Sequence, residues 1–237
     1  MTATSIADRY REVRARVDAA CVAAGRAPAD VTLVAVSKTH PASAIREALA
    51  AGARDFGENY AQELAEKQRE LGGATGELRD ARWHYIGRLQ RNKAKLVAGH
   101  VALVHAVDSV ELAAELGKRA GGVIQPVLIA VNLGGEDSKG GVTAAAAPAL
   151  ARAIIATPGV RLDGLMTLPP PSDDPDANRA VFAELAALRD RLAAALGAAL
   201  PVLSMGMSDD FEVAIACGST HVRVGTAIFG ARPRVSF

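Results

Sequence analysis

A single (β/α)8 barrel of the TIM type, preceded by one extra helix, is the fold this sequence predicts. Short runs rich in Val, Leu and Ile alternate eight times with longer amphipathic or alanine-rich runs, which is the pattern of parallel strands joined by helices. The chemically capable residues cluster where the short runs end, and no second composition regime interrupts the alternation. One barrel accounts for 237 residues, half of them hydrophobic but only 4% aromatic, so its core must be built from Ala, Val and Leu.

The N-terminal helix is read over residues 2–25, where Ile6, Tyr10, Val13, Val17 and Ala24 recur at helical spacing and Gly25 and Pro28 end the run. The barrel is read over 31–233. Its first four units are VTLVAV with Ala42–Ala51, ARDFG with Glu58–Leu71, RWHYIG with Gln90–Ala98, and VALVHAV with Val110–Ala120. The next three are IQPVLIAVNL with Thr143–Ala156, VRLDGLM with Asp176–Leu196, and PVLSMG with Asp209–Cys217. HVRVG and a short terminal turn close the series. GGATG at 72–76 reads as a simple turn after a helix, and LPPPSDDPD at 168–176 as a stiff segment after the sixth strand.

The 27 basic and 26 acidic residues leave no footprint for nucleic acid, and no uncharged apolar run reaches membrane-spanning length. Cys21 and Cys217 belong to no metal-ligand spacing and no disulfide framework, so reduced thiols and no metal are expected. Residues Asp8, Glu12 and Asp18 near the start argue against a signal or transit peptide, which makes the cytoplasm the expected location.

The stretch VTLVAVSKTHP carries the first candidate. Lys38 has the parity of Val36, Val34 and Thr32, so it leaves the strand end from a mostly apolar row. Desolvation of that kind lowers a lysine's pKa and frees its amine to form a Schiff base, while a snorkelling lysine is the plainer reading. In WHYIGRLQRNK, the residues His84, Gly87, Gln90, Asn92 and Lys93 crowd one strand-to-helix turn, with a core histidine as the plainer reading of His84. LSMGMSDD offers Ser204, Gly206 and Ser208, and HVRVGTAIFG offers Gly225 and Thr226. These are the loops after strands seven and eight, where barrels hold phosphate on unpaired helix-start amides. Arg223 shares parity with His221 and Gly225, and either a pyridine nitrogen or a salt bridge in the barrel wall would satisfy it.

Taken together, VSKTHP, FGENYAQE, WHYIGRLQRNK, LSMGMSDDFEVAIACGST and HVRVGTAIFG, in this order, resemble the pyridoxal phosphate homeostasis protein family, whose members look like the barrel half of alanine racemase without its second domain. The resemblance runs from the first strand to Pro233. It implies pyridoxal 5′-phosphate (PLP) as cofactor, held as an internal aldimine on Lys38. It also implies phosphate contacts from Ser204, Ser208, Gly225 and Thr226, Arg223 at the pyridine nitrogen, and Asn59 and Met207 lining the site. His40, Tyr85 and Arg88 depart from the family's common residues without touching this assignment. The implied role is PLP and amino-acid homeostasis by a carrier or buffer that is not an enzyme, with apo PLP-dependent enzymes as partners and a monomer as the expected state. Two alternatives stand beside it. One is a low-activity amino-acid racemase using His84 or Tyr85 as acid/base, and the other is a cofactor-free Schiff-base aldolase using Lys38.

Overall fold

The computed structural model describes residues 4–72, 79–134, 140–170, 172 and 174–231. The predicted alternation folds as eight parallel strands: β1 Thr32–Val36, β2 Asp55–Glu58, β3 Arg82–Tyr85, β4 Leu103–Val107, β5 Gln125–Ala130, β6 Val160–Met166, β7 Val202–Ser204 and β8 His221–Val224. They close in sequence order, with β8 pairing back onto β1 (Val34 opposite Arg223). The connecting helices are α2 Ala42–Ala50, α3 Ala61–Glu70, α4 Val110–Arg119, α5 Ala147–Ile155, α6 Arg179–Leu196, α7 Phe211–Ala216 and the single turn α8 Thr226–Phe229, and α1 Ile6–Ala23 precedes the barrel. Most of the GGATG turn, residues 171 and 173 of the proline-rich segment, and residues 232–233 lie outside the described residues.

The helix α1 starts at Ile6, later than expected, because Ser5 accepts a hydrogen bond from the Asp8 amide and so caps it. Its buried residues Tyr10, Val13, Val17 and Cys21 pack against the barrel's outer layer. Arg9 donates to the Ile228 carbonyl at 2.6 Å and Arg26 to the Ser219 carbonyl at 2.6 Å. Because α8 is only one turn, α1 supplies the helical cover that the eighth unit lacks. In the third unit the expected helix is instead a 3-10 segment, Arg91–Leu96, since six residues with only Ala94 buried give too small an apolar face for a regular helix.

Strand parity sorts the core. Leu33, Ala35, Phe56, Trp83, Val104, Ile129, Leu165, Leu203 and Val222 face the helices and form the main apolar cluster. Inside the barrel a smaller cluster of Leu103, Ala106, Leu128, Ala130 and Met166 fills only part of the lumen. The remainder holds buried polar groups, Asp55, His84, His105, Ser204 and Arg223.

Candidate active-site pocket at the barrel mouth

The chain turns sharply after β1. Ser37 is fully buried and donates its hydroxyl to Glu58 Oε1 at 2.6 Å. Lys67 of α3 spends its three N–H donors on the Ser37 carbonyl, Glu58 Oε1 and Glu63 Oε1, at 2.7, 2.6 and 2.7 Å. Glu63 Oε1 in turn accepts the Thr39 amide at 2.6 Å. Thr39 has φ 67°, and among the described residues no other non-glycine has positive φ. A β-branched residue in that region is strained, so this ion cluster holds the turn in a shape it would not adopt alone. Both neighbours of Lys38 are thereby fixed. Burial pushes the Glu58 carboxyl pKa up against the pull of Lys67, and its second oxygen has no partner among the described residues.

Lys38 opens into a cavity of about 240 Å³. Asn59, Met207, Ser208, Arg223, Gly225 and Thr226 line the same cavity, so seven of the eight residues expected from the sequence converge there, with Val36, Ile86 and Leu168 as apolar wall. Ser204 does not. It is fully buried in the lumen, because it has the parity of Val202 on β7 and so points inward, where it accepts from Arg223 at 2.5 Å and meets His105 at 2.8 Å. Gly206 is likewise absent from the lining. At φ 92° a Cβ there would lie 2.6 Å from Ala214 Cβ, so this glycine lets α7 pack and does not give a ligand closer approach.

The loop between β7 and α7 is shaped by Asp210, whose carboxylate accepts the Met207 amide at 2.7 Å and Asn178 Nδ2 at 2.9 Å. That turn presents Ser208, which accepts from the Ala227 amide at 3.5 Å, next to the helix start at Thr226, whose first amides have no intrahelical acceptor. Across the cavity, Arg223 is 4% exposed and donates to Ser204 and to the Thr167 carbonyl, the latter at 2.9 Å. Both partners are neutral, and no carboxylate among the described residues pairs with it. The wall salt bridge allowed by the sequence is therefore not what satisfies Arg223. Burial brings its pKa down to about 10, against the more distant pull of Asp210.

Neither acid/base of the racemase alternative reaches the cavity. His84 is 3% exposed and turned into the lumen, bonded to Asp55 and His105 at 2.9 Å each. Tyr85 faces outward, its hydroxyl held by the Asn59 and Arg88 carbonyls at 3.0 and 3.3 Å, and burial pushes its pKa up to about 12. With Arg88, Gln90 and Lys93 it lines a separate groove of about 670 Å³ on the far side of Asn59. Lys38, Arg223, Ser208 and Thr226 converge on the smaller cavity and none of them lines the larger groove. Asn59 borders both, and Gly87 packs against its backbone, since a Cβ there would sit 2.2 Å from the Asn59 carbonyl oxygen.

Comparison with known proteins identifies the family. The model of the alanine racemase N-terminal domain family matches residues 9–233. The pyridoxal phosphate homeostasis protein of Pseudomonas aeruginosa is 47% identical over 231 residues, 97% of this chain and 96% of that protein. The chain belongs to the pyridoxal phosphate homeostasis protein family. Among solved structures, PipY of Synechococcus elongatus with PLP bound superposes with TM-score 0.83 at 38% identity, covering 95% of this chain and all of that one. Alanine racemase of Corynebacterium glutamicum shares the fold at TM-score 0.65 and 20% identity, with this chain covering only 62% of it.

The sequence pointed to seven residues that line this cavity but missed what holds them. Lys67 and Glu63, four apart on α3, look like a solvated surface pair, and only the FGENYAQE motif hinted at Glu58.

Proposed function

We propose that this chain binds PLP in the barrel-mouth cavity and acts as a monomeric, non-catalytic carrier and buffer in PLP and amino-acid homeostasis, delivering the aldehyde to apo PLP-dependent enzymes in the cytoplasm. The observation that carries the reading is Arg223: a buried guanidinium with only neutral partners borders the cavity that Lys38 enters. The donor set fits the cofactor. Lys38 supplies an amine for the aldehyde carbon. Ser208, Thr226 and the amides beside Gly225 supply hydrogen-bond donors for a phosphate. Arg223 can only donate, so a ring nitrogen facing it stays unprotonated.

Bound PLP supplies an electron sink whose strength depends on a protonated ring nitrogen. Arg223, which can only donate, works against that sink, and the carboxylate that borders the cavity, Asp209, lies on the Met207–Ser208 loop beside the hydroxyl donors. Neither His84 nor Tyr85 is placed to move a proton at a substrate carbon, since one is spent in the lumen and the other outside it. Asn59, Ile86 and Leu168 close the sides, so one chain provides the whole lining.

Two measurements on the purified, PLP-loaded protein test this reading. Incubation with an apo PLP-dependent enzyme is expected to restore that enzyme's activity. Alanine in deuterated buffer is expected to exchange its α-hydrogen no faster than with free PLP. Turnover at roughly 1 to 1,000 per second would overturn the carrier reading in favour of an enzyme. Failure to bind PLP, with a phosphorylated sugar captured on Lys38 instead, would favour an aldolase.

A further inference from the structure

Five buried side chains form one continuous hydrogen-bonded chain across the lumen. Arg223 Nη1 donates to Ser204 Oγ at 2.5 Å, Ser204 meets His105 Nδ1 at 2.8 Å, His105 Nε2 meets His84 Nδ1 at 2.9 Å, and His84 Nε2 meets Asp55 Oδ1 at 2.9 Å. In the strand ladder Asp55 and Arg223 both stand opposite Val34, one on either side of β1. The bonded route between them runs the other way round, through β3, β4 and β7.

Donor and acceptor bookkeeping fixes its direction. Asp55 is a carboxylate, further held by Arg82 through two bonds of 2.7 Å, so His84 Nε2 must carry the proton facing it. A neutral His84 then accepts at Nδ1, which requires His105 to donate from Nε2. A neutral His105 accepts at Nδ1, which requires Ser204 to donate its hydroxyl. Ser204 Oγ is left as an acceptor, which is the role Arg223 demands. With both rings neutral, the two ends, a group that only donates and a group that only accepts, impose the same polarity on every link. Reversing the middle of the chain would make His84 an imidazolium and put a second buried cation on the path to Arg223.

We propose that Asp55, His84, His105 and Ser204 are positioning residues, a one-way relay that fixes Arg223 as the oriented donor at the floor of the cavity and links its charge to the distant carboxylate of Asp55. In the low-dielectric lumen each bond polarises the next, so the relay both orients and partly compensates a cation that has no ion-pair partner. The proposal rests on the reading that Arg223 faces the ligand's ring, and it explains why an inward-facing serine and two histidines fill space that other parts of the lumen give to Leu and Met.

Two experiments test it separately. Nitrogen NMR of the histidine rings at neutral pH, with and without PLP, is expected to find His84 and His105 neutral and protonated at Nε2. An imidazolium at His84, or Nδ1 protonation at either ring, overturns the relay whether or not PLP binds. The second is PLP titration, followed by absorption, of the parent, His105→Leu and His105→Gln. Glutamine can accept from Ser204 and donate to His84, and leucine can do neither. His105→Leu is expected to weaken PLP binding roughly tenfold and shift the absorption band, and His105→Gln to restore both. Equal binding and spectra in all three variants would show that the chain of bonds is structural only and refute the proposal. Should His105→Leu fail to fold, Ser204→Ala breaks the next link and is read the same way. A parent that takes up no PLP would overturn the reading of the pocket, and the ring tautomers would still decide the relay.

Discussion

Replacing Lys67 by methionine probes the clamp that holds both neighbours of Lys38. The ammonium is almost wholly buried, with side-chain exposure of 7%, and its partner Glu58 has none. Removing it leaves the Glu58 carboxylate with only the Ser37 hydroxyl, its other oxygen already lacking a partner. Breaking a buried pair on one side costs about 3–5 kcal/mol, which for a chain of this size lowers Tm by roughly 6–20 °C. Glu58 can escape part of that cost by taking a proton, because burial already raises its pKa. The loss should therefore be smaller at pH 5 than at pH 7.5. The double substitution Lys67→Met with Glu58→Gln should recover stability relative to Lys67→Met at pH 7.5, because no uncompensated charge remains. In both variants the Thr39 turn loses the lysine that orients Glu63, so covalent PLP loading at Lys38 should fall even where the fold is restored. Urea unfolding at the two pH values, with PLP uptake measured in parallel, provides the assay. A Lys67→Met variant within about 1 kcal/mol of the parent, or a double variant no more stable than the single one, would refute the argument.

Acid should destabilise the protein through its buried histidines. His105 is fully buried, and burial, then His84, His221 and Arg223, hold its pKa well below the ordinary value, while the unfolded chain takes up a proton near pH 6.5. Stability is thus complete above that pH and falls by about 1.4 kcal/mol per unit below it, so His105→Gln should flatten the urea-derived slope between pH 6 and 4 by that amount. Asp55, held near a pKa of about 2 despite burial by His84 and Arg82, adds a further loss as pH falls below about 4, which Asp55→Asn should remove. Ser208→Ala and Thr226→Val should each weaken PLP retention by roughly tenfold to a hundredfold with little change in unfolding free energy. Unchanged dialysis half-times would place the phosphate elsewhere. Gly87→Ala should lower Tm by several degrees and loosen PLP, because its methyl must push the Asn59 backbone out of the pocket wall. An unaltered melting curve would show that the two loops part at no cost.

The barrel was legible because strand and helix periods alternate so regularly. Lys38 was legible because parity with Val36 and Val34 puts it on the lumen side of β1. Parity applied to β7 would also have turned Ser204 inward, away from the loop that its neighbours Met207 and Ser208 enter. What periodicity cannot supply is the partner across strands. Nothing local in VHAV or RWHY says that His105 and His84 meet in the lumen, because that contact depends on the tilt of closed strands. Nor does an i,i+4 pair on α3 announce that its lysine is swallowed beneath the β1 turn. The third unit reads as ending in a regular helix because its spacing fits one, while its length and burial support only a 3-10 turn.

The site of PLP attachment is the most direct test of the pocket. Protein incubated with PLP, reduced with borohydride, digested and analysed by mass spectrometry is expected to carry the reduced phosphopyridoxyl group on the peptide containing Lys38, and Lys38→Ala to lose the near-visible absorption band while keeping weak, phosphate-dependent binding. A label found instead on Lys93 or another lysine, or an unchanged band in Lys38→Ala, would contradict it.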